Sequence, residues 1–347
     1  MKPTPHERFL GCLLGTAVGD ALGLPFENLT SQRRAKLFGE VSGYRLVFGR
    51  GMGSDDTEHT VHVARALIRS RGDVEGFRHA LSRSLRAWFV CLPAGAGKAT
   101  IFGCLRMLIG VSPTRSGIHS AGNGPAMRSA IIGVMCHDDP ERMRQLVEAS
   151  TVMTHSDPVA LTGALLVAMA AGSLGAPDKL MSELLEFVAR DDIWRTPITR
   201  LRESLDQGES TLAFARSTCP ASGVSGYIVH TVPVALHAAL SATSVSDAVN
   251  SAVECGGDTD TTGAIAGAIC GARLGPATIP SEWLNGWVDT PITMSYLRDL
   301  ADRLSKVSAG EPAPPAGFAW WKVPPRNVSF FLILLVHIGR RMLPPYS

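Results

Sequence analysis

Apolar residues recur at helical spacing along nearly the whole chain, and alternation with a period of two is rare. In residues 7–23, for example, Phe9 and Leu13 lie four positions apart on one helical face. Residues 158–174 are almost wholly apolar, which indicates a helix in the centre of the core. Only the short segment 44–48 alternates. The pattern predicts an all-α fold, a compact orthogonal packing of about a dozen helices.

The predicted helices carry ordinary start and stop signals. Gly23 and Pro25 end the first helix, Ser54 or Asp55 suits the N-cap of the second, and Pro140 suits a first helical position. The predicted helices are 7–23, 57–70, 74–90, 98–110, 124–136, 140–153, 158–174, 178–190, 197–206, 225–241, 245–254, 261–274 and 293–306.

The chain divides into a main body and a short tail. We expect one helical domain over 1–309, followed over 310–347 by a proline-rich strap and a C-terminal tail. The end of the tail is apolar and then basic, which favours an extra helix docked on the main body, with an interaction segment as the alternative. The apolar run 328–339 is too short to span a bilayer, which takes about twenty residues.

Composition excludes several classes of protein. The 347 residues include 33 basic and 31 acidic side chains, so no electrostatic footprint for nucleic acid is present. Seven cysteines are widely spread without a Cys-x-x-Cys pair, which predicts reduced core residues rather than a zinc cage or disulfides. The first apolar run has the wrong flanks for a secretory signal. We expect a cytoplasmic protein without a membrane partner.

Two short acid clusters carry the candidate chemistry. Residues 256–263 read Gly-Gly-Asp-Thr-Asp-Thr-Thr-Gly, and Asp258 and Asp260 alternate there with hydroxyls before a helix. Residues 54–57 read Ser-Asp-Asp-Thr, which exceeds what one helix cap needs. Buried acids need a counter-charge, and a set of hard oxygen ligands selects Mg²⁺ or Mn²⁺. The sequence therefore predicts that four carboxylates meet around two such ions.

Three other kinds of site have partial signals in the sequence. Asp258 to Thr262 fits the nucleophile motif of haloacid-dehalogenase-type phosphatases, but the helical spacing of 245–255 argues against the strand that this motif requires. His59 and His62 could be zinc ligands, although no third nitrogen or sulfur ligand lies near them in sequence. Residues 94–100 resemble a P-loop fragment but lack its first glycine and its final Ser or Thr, so that class is rejected.

Two glycine-rich loops precede predicted helices. Residues 94–100 read Ala-Gly-Ala-Gly-Lys-Ala-Thr, and 120–128 contain Ser-Ala-Gly-Asn-Gly-Pro, with Pro125 suited to a first helical position. A helix N-terminus after small residues exposes N–H groups that favour an anion. Beside two acid clusters, these loops suggest a ligand that has phosphates and a sugar diol.

These motifs, taken in order, resemble those of the ADP-ribosylglycohydrolases over about residues 7–305. The motifs are Gly15-Thr-Ala-Val-Gly19-Asp20-Ala-Leu-Gly23 with Glu27, Gly53-Ser-Asp-Asp-Thr57, Gly95-x-Gly97-Lys-Ala-Thr100, Ser120 to Arg128, Thr154-His-Ser-Asp-Pro158 and Gly256 to Gly267.

The resemblance implies an all-α enzyme with a binuclear Mg²⁺ or Mn²⁺ centre in a cleft. It implies metal ligands at Ser54, Asp55, Asp56, Asp258, Asp260 and Thr261, a glutamate near the metals at Glu27, phosphate-binding loops at Gly95, Gly97, Ser120, Gly122, Asn123 and Gly124, and a histidine near ADP-ribose at His155. Ala121 replaces an aromatic residue of some members, so adenine stacking must be weaker or come from elsewhere.

The function implied by the resemblance is hydrolysis of the bond at C1″ of the distal ribose. The partner is then an ADP-ribosylated protein and the product is ADP-ribose. Arginine is the expected acceptor, with serine, a nucleic-acid base or a small ADP-ribosyl ester as alternatives. Metal-bound water would attack, with Glu27, Asp55 or Asp56 as acid or base and Asp260 touching both ions. A non-catalytic ADP-ribose-binding or toxin-neutralising protein is the alternative.

Overall fold

The computed structural model describes residues 2–46 and 48–342, so the end of the predicted tail and residue 47 of the alternating segment lie outside it. This part of the chain is predominantly α-helical. Its α-helices are α1 (Pro5–Gly23), α2 (Ser31–Phe38), α3 (Asp55–Ser70), α4 (Val74–Val90), α5 (Lys98–Leu108), α6 (Ala130–Met135), α7 (Pro140–Thr151), α8 (Pro158–Gly172), α9 (Pro177–Phe187), α10 (Arg195–Asp206), α11 (Thr211–Thr218), α12 (Ile228–Ser241), α13 (Val245–Glu254), α14 (Thr259–Leu274), α15 (Ser281–Asn285), α16 (Met294–Ser308) and α17 (Val323–Met342). Two two-residue strands, β1 (Leu29–Thr30) and β2 (Gly256–Gly257), pair antiparallel.

Helices α1 and α14 lie backbone to backbone at the centre of the molecule. A Cβ added at Gly15 would come within 2.0 Å of the carbonyl oxygen of Gly267, and one added at Gly19 within 2.1 Å of that of Gly263. Glycine every fourth residue on both helices therefore permits a separation that no other residue allows. This contact fixes Asp20 of α1 close to the first turn of α14, where the second acid cluster begins.

The same contact explains the high hydropathy of α1. Residues 5–26 are long and apolar enough to cross a membrane, but 94% of that window is buried inside the protein. Helices α8 and α12, also largely buried, pack against α14 and complete the core. Residues 5–26 therefore belong to the interior of this fold.

The helical pattern is largely confirmed, with one break and several omissions. Ser54 caps α3 and Pro140 opens α7, as predicted. The predicted helix 124–136 is wrong in detail, because a 3₁₀ turn over Ala126–Arg128 precedes α6, and Pro125 lies just before that turn. Segment 44–46 is not a strand. Helices α2, α11 and α15 were not among those predicted. The extra helix expected in the tail is found as α17, which begins at Val323, inside the predicted strap.

The C-terminal helix α17 is docked on the main body through a polar stripe. Arg326, 6% exposed, donates to Asp289 at 2.6 and 2.9 Å and to Glu58 at 3.0 Å. His337 lies 2.8 Å from the carbonyl oxygen of Pro25. Arg341 donates to the carbonyl oxygen of Glu27 at 2.8 Å. Through these bonds α17 holds the segment on which Glu27 lies.

The cysteines agree with the predicted reduced state. All seven are free, and five of them are buried. Burial raises the pKa of the Cys12 thiol to about 12, so this side chain is an unreactive core residue.

Candidate active site

One cleft of about 510 Å³ brings the acid clusters and the glycine-rich loops together. It is bounded by the start of α3, the start of α14, the loop before α5 and the loop that includes residues 120–124. The predicted residues that line it are Glu27, Ser54, Asp55, Gly95, Gly97, Ser120, Gly122, Asn123, Gly124, His155, Asp258, Asp260 and Thr261. Asp56 is the one predicted metal ligand that does not line the cleft. It lies behind the wall and is 1% exposed.

The two acid clusters meet, as the sequence predicted. The Thr261 hydroxyl of α14 donates to Asp56 of α3 across 205 residues at 3.3 Å. The Ser54 hydroxyl also donates to Asp56, at 3.2 Å. Just before α14, Gly257 of β2 pairs with Leu29 of β1. Position 257 requires glycine, because its φ is +83° and a Cβ there would lie 2.0 Å from the Val224 carbonyl oxygen.

Asp20 is the buried support for this meeting point. Its carboxylate accepts hydrogen bonds from the backbone N–H of Ser54 at 2.8 Å, from that of Thr57 at 3.1 Å and from the Thr57 hydroxyl. It is fully buried, and burial raises its pKa to about 6. Asp20 therefore orients the N-terminal turn of α3, on which Asp55 and Asp56 lie.

The cluster carries more negative charge than its surroundings neutralise. Burial, followed by repulsion from Asp20, raises the pKa of Asp55 and of Asp56 well above the ordinary value. Burial, followed by repulsion from Glu27, does the same for the pKa of Asp260. The ion pairs of the described chain join none of these acids to Lys or Arg. Such a group of acids needs either protons or a cation.

The residues fit a hard cation in chemistry. One oxygen of Asp20 and one of Asp56 are buried without any hydrogen-bond partner, and the neighbouring donors are carboxylates and hydroxyls. As they stand, no three His, Cys, Asp or Glu side chains of the described chain form a group that could hold an ion.

The loop before α5 offers free N–H groups to an anion. Gly97 is the N-cap of the eleven-residue α5 and supplies no side-chain cap, so the first N–H groups of the helix are open to the cleft. Gly95 has a φ of +83°, a conformation that disfavours a side chain. Lys98 also lines the cleft and adds a positive charge at this end.

His155 supports the second loop from below. Its ring lies so close that a Cβ on Gly122 or Gly124 would approach it to 3.1 or 3.0 Å. Its Nδ1 lies 2.8 Å from the Thr154 hydroxyl. Burial, aided by the nearby Arg128, lowers the pKa of His155 to about 3, so this histidine is neutral near physiological pH.

Asn123 connects this loop to the acid cluster. Its amide donates to Asp258 at 2.6 Å and to the Thr231 hydroxyl at 3.0 Å. Asn123, a predicted phosphate-binding residue, is therefore hydrogen-bonded to Asp258, a predicted metal ligand. This bond links the glycine-rich loop directly to the acid cluster.

Sequence reasoning missed three parts of the site. Asp20 is one residue of the Gly15–Gly23 motif, and its role is not visible there because it depends on contacts with a distant helix. Arg128, fully buried, binds Ser150 and Thr154 and so braces the turn before His155. Residues 222–226 form another wall, and their Ser/Gly-rich composition was the available signal.

The competing sites are not found. His59 and His62 are buried beside Trp88 and Trp320, where they are core residues rather than zinc ligands. Asp258 follows helix α13 and a two-residue antiparallel strand, not the buried parallel strand of a phosphatase nucleophile.

This all-α fold with its acid-lined cleft is that of a glycosyl hydrolase family. The model of the ADP-ribosylglycohydrolase family matches residues 1–314, and the chain belongs to that family. The predicted family and enzyme class are thereby confirmed.

Relatives agree with this assignment. An uncharacterized protein of Archaeoglobus fulgidus is 31% identical over 310 residues, covering 86% of this chain and 96% of its own. The ADP-ribosyl-[dinitrogen reductase] glycohydrolase of Rhodospirillum rubrum is 28% identical over 292 residues, covering 82% and 91%. A solved structure titled "ADP-ribosylglycohydrolase-related protein complex" superposes with a TM-score of 0.67 at 26% identity, covering 88% of this chain and 99% of that one.

Proposed function

We propose that this protein removes ADP-ribose from a modified protein side chain, with arginine as the preferred acceptor. The observation that carries the proposal is a single cleft that is lined by a cluster of carboxylates and hydroxyls and by two glycine-rich loops, one of which opens the N-terminus of α5. ADP-ribose has the matching chemistry, since it joins a diphosphate to a ribose whose hydroxyls are hard oxygen donors. A family relative in Rhodospirillum rubrum bears the name of a glycohydrolase that acts on a protein.

The diphosphate binds at the glycine-rich loops in this proposal. The free N–H groups at the start of α5 and the charge of Lys98 face it there. Neutral His155 holds the other loop without adding charge. The distal ribose then lies at the opposite end, against Asp55 and Asp260.

Two Mg²⁺ or Mn²⁺ ions would be held by Ser54, Asp55, Asp56, Asp258, Asp260 and Thr261. When bound, they supply charge neutralisation and activation of a water molecule. Glu27 lines the cleft, and burial together with Asp258 raises its pKa, so it can keep a proton for the departing side chain. Asp20 keeps Asp55 and Asp56 in place by holding the turn below them.

Tyr227 is the candidate platform for adenine in place of the residue at Ala121. Its backbone forms an antiparallel bridge with Gly122, and its side chain is 39% exposed. An exposed aromatic ring beside the loop can stack on a base, as aromatic side chains commonly do.

The test is release of ADP-ribose from arginine-modified and serine-modified proteins, each with Mg²⁺, Mn²⁺ or a chelator. We expect metal-dependent release, faster from arginine. Release from serine-modified protein alone would overturn the assignment of arginine as acceptor, and equal rates with chelator would overturn the proposed metal dependence.

The free thiols of all seven cysteines suit the reducing cytoplasm, which we propose as the location of the protein.

A further inference from the structure

A second, apolar groove adjoins the candidate active site. It measures about 1000 Å³ and lies between α17 on one side and the loop after α4 on the other. It shares wall residues with the catalytic cleft, namely Leu24, Glu27, Asn28, Ala94, Gly95 and Leu334. An occupant of the groove would therefore lie directly beside Glu27.

One stripe of α17 forms the groove and is left without a covering partner in the described chain. Val328, Phe331, Leu335, Ile338 and Met342 recur at spacings of three and four, and they are 50 to 80% exposed. Leu92 on the opposite wall is 82% exposed. An exposed apolar surface of this extent, beside a polar catalytic cleft, marks a binding surface.

The groove is preformed, because the opposite stripe of α17 is firmly attached. Arg326 is buried in ion pairs with Asp289 and Glu58, and Asn327 donates to the Cys91 carbonyl oxygen at 2.8 Å. Phe330, 1% exposed, packs with Leu24. The exposed stripe is therefore held in a fixed position, because the rest of α17 is already packed on the main body.

The position of the groove selects its occupant. It borders the cleft at Glu27 and, through Ala94 and Gly95, at the outer edge of the loop before α5. It does not include residues 97–100, where the open N–H groups of α5 lie, nor residues 120–124 or His155. On the proposed function, on which this inference rests, the side chain leaving C1″ departs past Glu27. The substrate protein on which that side chain lies must then run along α17.

We propose that the groove binds apolar residues flanking the ADP-ribosylated side chain, so that the enzyme prefers modified sites within apolar segments of its protein substrate. Binding of an apolar segment in a hydrophobic groove is a recurring mode of peptide recognition. Substrate choice then depends on α17, whose residues lie beyond the 1–314 matched by the family model.

The test compares three substrates that differ only outside ADP-ribose. Two peptides carry ADP-ribose on the acceptor that the enzyme hydrolyses, one flanked by Leu and Phe and the other by Ser and Gly. The third substrate is the free ADP-ribosylated amino acid. We expect kcat/KM for the apolar peptide to exceed that for the polar peptide by about tenfold, through KM.

Three single variants of α17 locate the effect. Phe331→Ser and Leu335→Ser remove exposed groove side chains. Val336→Ser removes a neighbour that is more exposed, at 74%, and does not line the groove. The first two should reduce the preference for the apolar peptide about tenfold and leave the free amino acid unaffected. Val336→Ser should behave as wild type on all three.

Several results would overturn the proposal. Equal hydrolysis of both peptides does so, as does a dimer in sedimentation that Phe331→Ser and Leu335→Ser dissociate, because the occupant is then a second copy. If none of the substrates is cleaved with any metal, the proposed function fails by itself. Fluorescence anisotropy of the unmodified labelled peptides then tests the groove separately. If the groove binds apolar segments, wild type must bind the apolar peptide more tightly than Phe331→Ser does.

Discussion

At the residue scale, the most consequential side chain is one that no cluster motif singles out. Asp20 lies near the end of the apolar helix α1, and its carboxylate accepts hydrogen bonds from two backbone N–H groups at the start of α3. Buried N–H groups left without an acceptor cost free energy, so the position of the acid-bearing turn depends on this carboxylate.

Substituting Asp20 tests that dependence. Asp20→Ala leaves the N–H groups of Ser54 and Thr57 unsatisfied, and we expect it to lower the free energy of unfolding by about 1–3 kcal/mol and to abolish activity. Asp20→Asn keeps an acceptor oxygen and should retain most of the stability. Urea denaturation of both variants is the measurement, and equal loss in the two would contradict the assigned role.

Other residues of the site could be predicted from the sequence. The clustering of two acids with two hydroxyls at 54–57 and at 258–261 predicted their meeting, because such a pattern has few structural uses. Asp20 and Arg128 were not within reach, since a buried Asp or Arg is explained only by the distant groups that it binds.

At the element scale, the α1–α14 contact organises both the core and the cleft. The spacing of glycines is visible in the sequence, but which two helices meet is not. A docked tail helix was predicted, but the start of α17 was not, because Pro324 and Pro325 are typical of an extended strap. The first turn of a helix accepts proline, and both residues lie there. Its contribution to the groove likewise depends on where it docks.

A single methyl group tests the close approach of these helices. Gly15→Ala places a Cβ 2.0 Å from a backbone oxygen of α14, and neither backbone can move aside cheaply. We expect a loss of about 3 kcal/mol or more, at or above the usual range for overpacking. The check is the thermal midpoint of unfolding.

The control for that variant lies in α17. A Cβ at Gly339 would meet nothing within 4 Å, so Gly339→Ala should be neutral or stabilise by up to about 1 kcal/mol. If Gly15→Ala were as stable as Gly339→Ala, the two helices would not be as close as described.

At the scale of the whole molecule, buried neutral histidines couple stability to pH. His237 is fully buried between Ser204, Thr211 and Phe214, and burial lowers its pKa to about 4. The unfolded chain takes up a proton near pH 6.5, so the stabilisation is complete above that pH and is lost as the pH falls toward 4.

His237→Gln tests this coupling, because glutamine keeps hydrogen-bonding atoms but does not titrate. Between pH 6.5 and 4, the wild-type free energy of unfolding should fall more steeply than that of the variant, by about 1.4 kcal/mol per pH unit. Denaturant melts at several pH values give both slopes. Parallel slopes would show that His237 is not protonated on unfolding in this range.

The central claim concerns the molecule as a whole. In the proposed function the acid cluster binds a cation, the glycine-rich loops bind the diphosphate, and both serve one hydrolysis. Release of ADP-ribose from arginine-modified protein by wild type and by Asp260→Ala, in Mg²⁺ or Mn²⁺, tests it most directly. We expect wild type to release ADP-ribose and the variant to be slower by at least about a hundredfold, equivalent to about 2.7 kcal/mol of transition-state stabilisation. Wild-type rates from a folded Asp260→Ala protein would contradict the account.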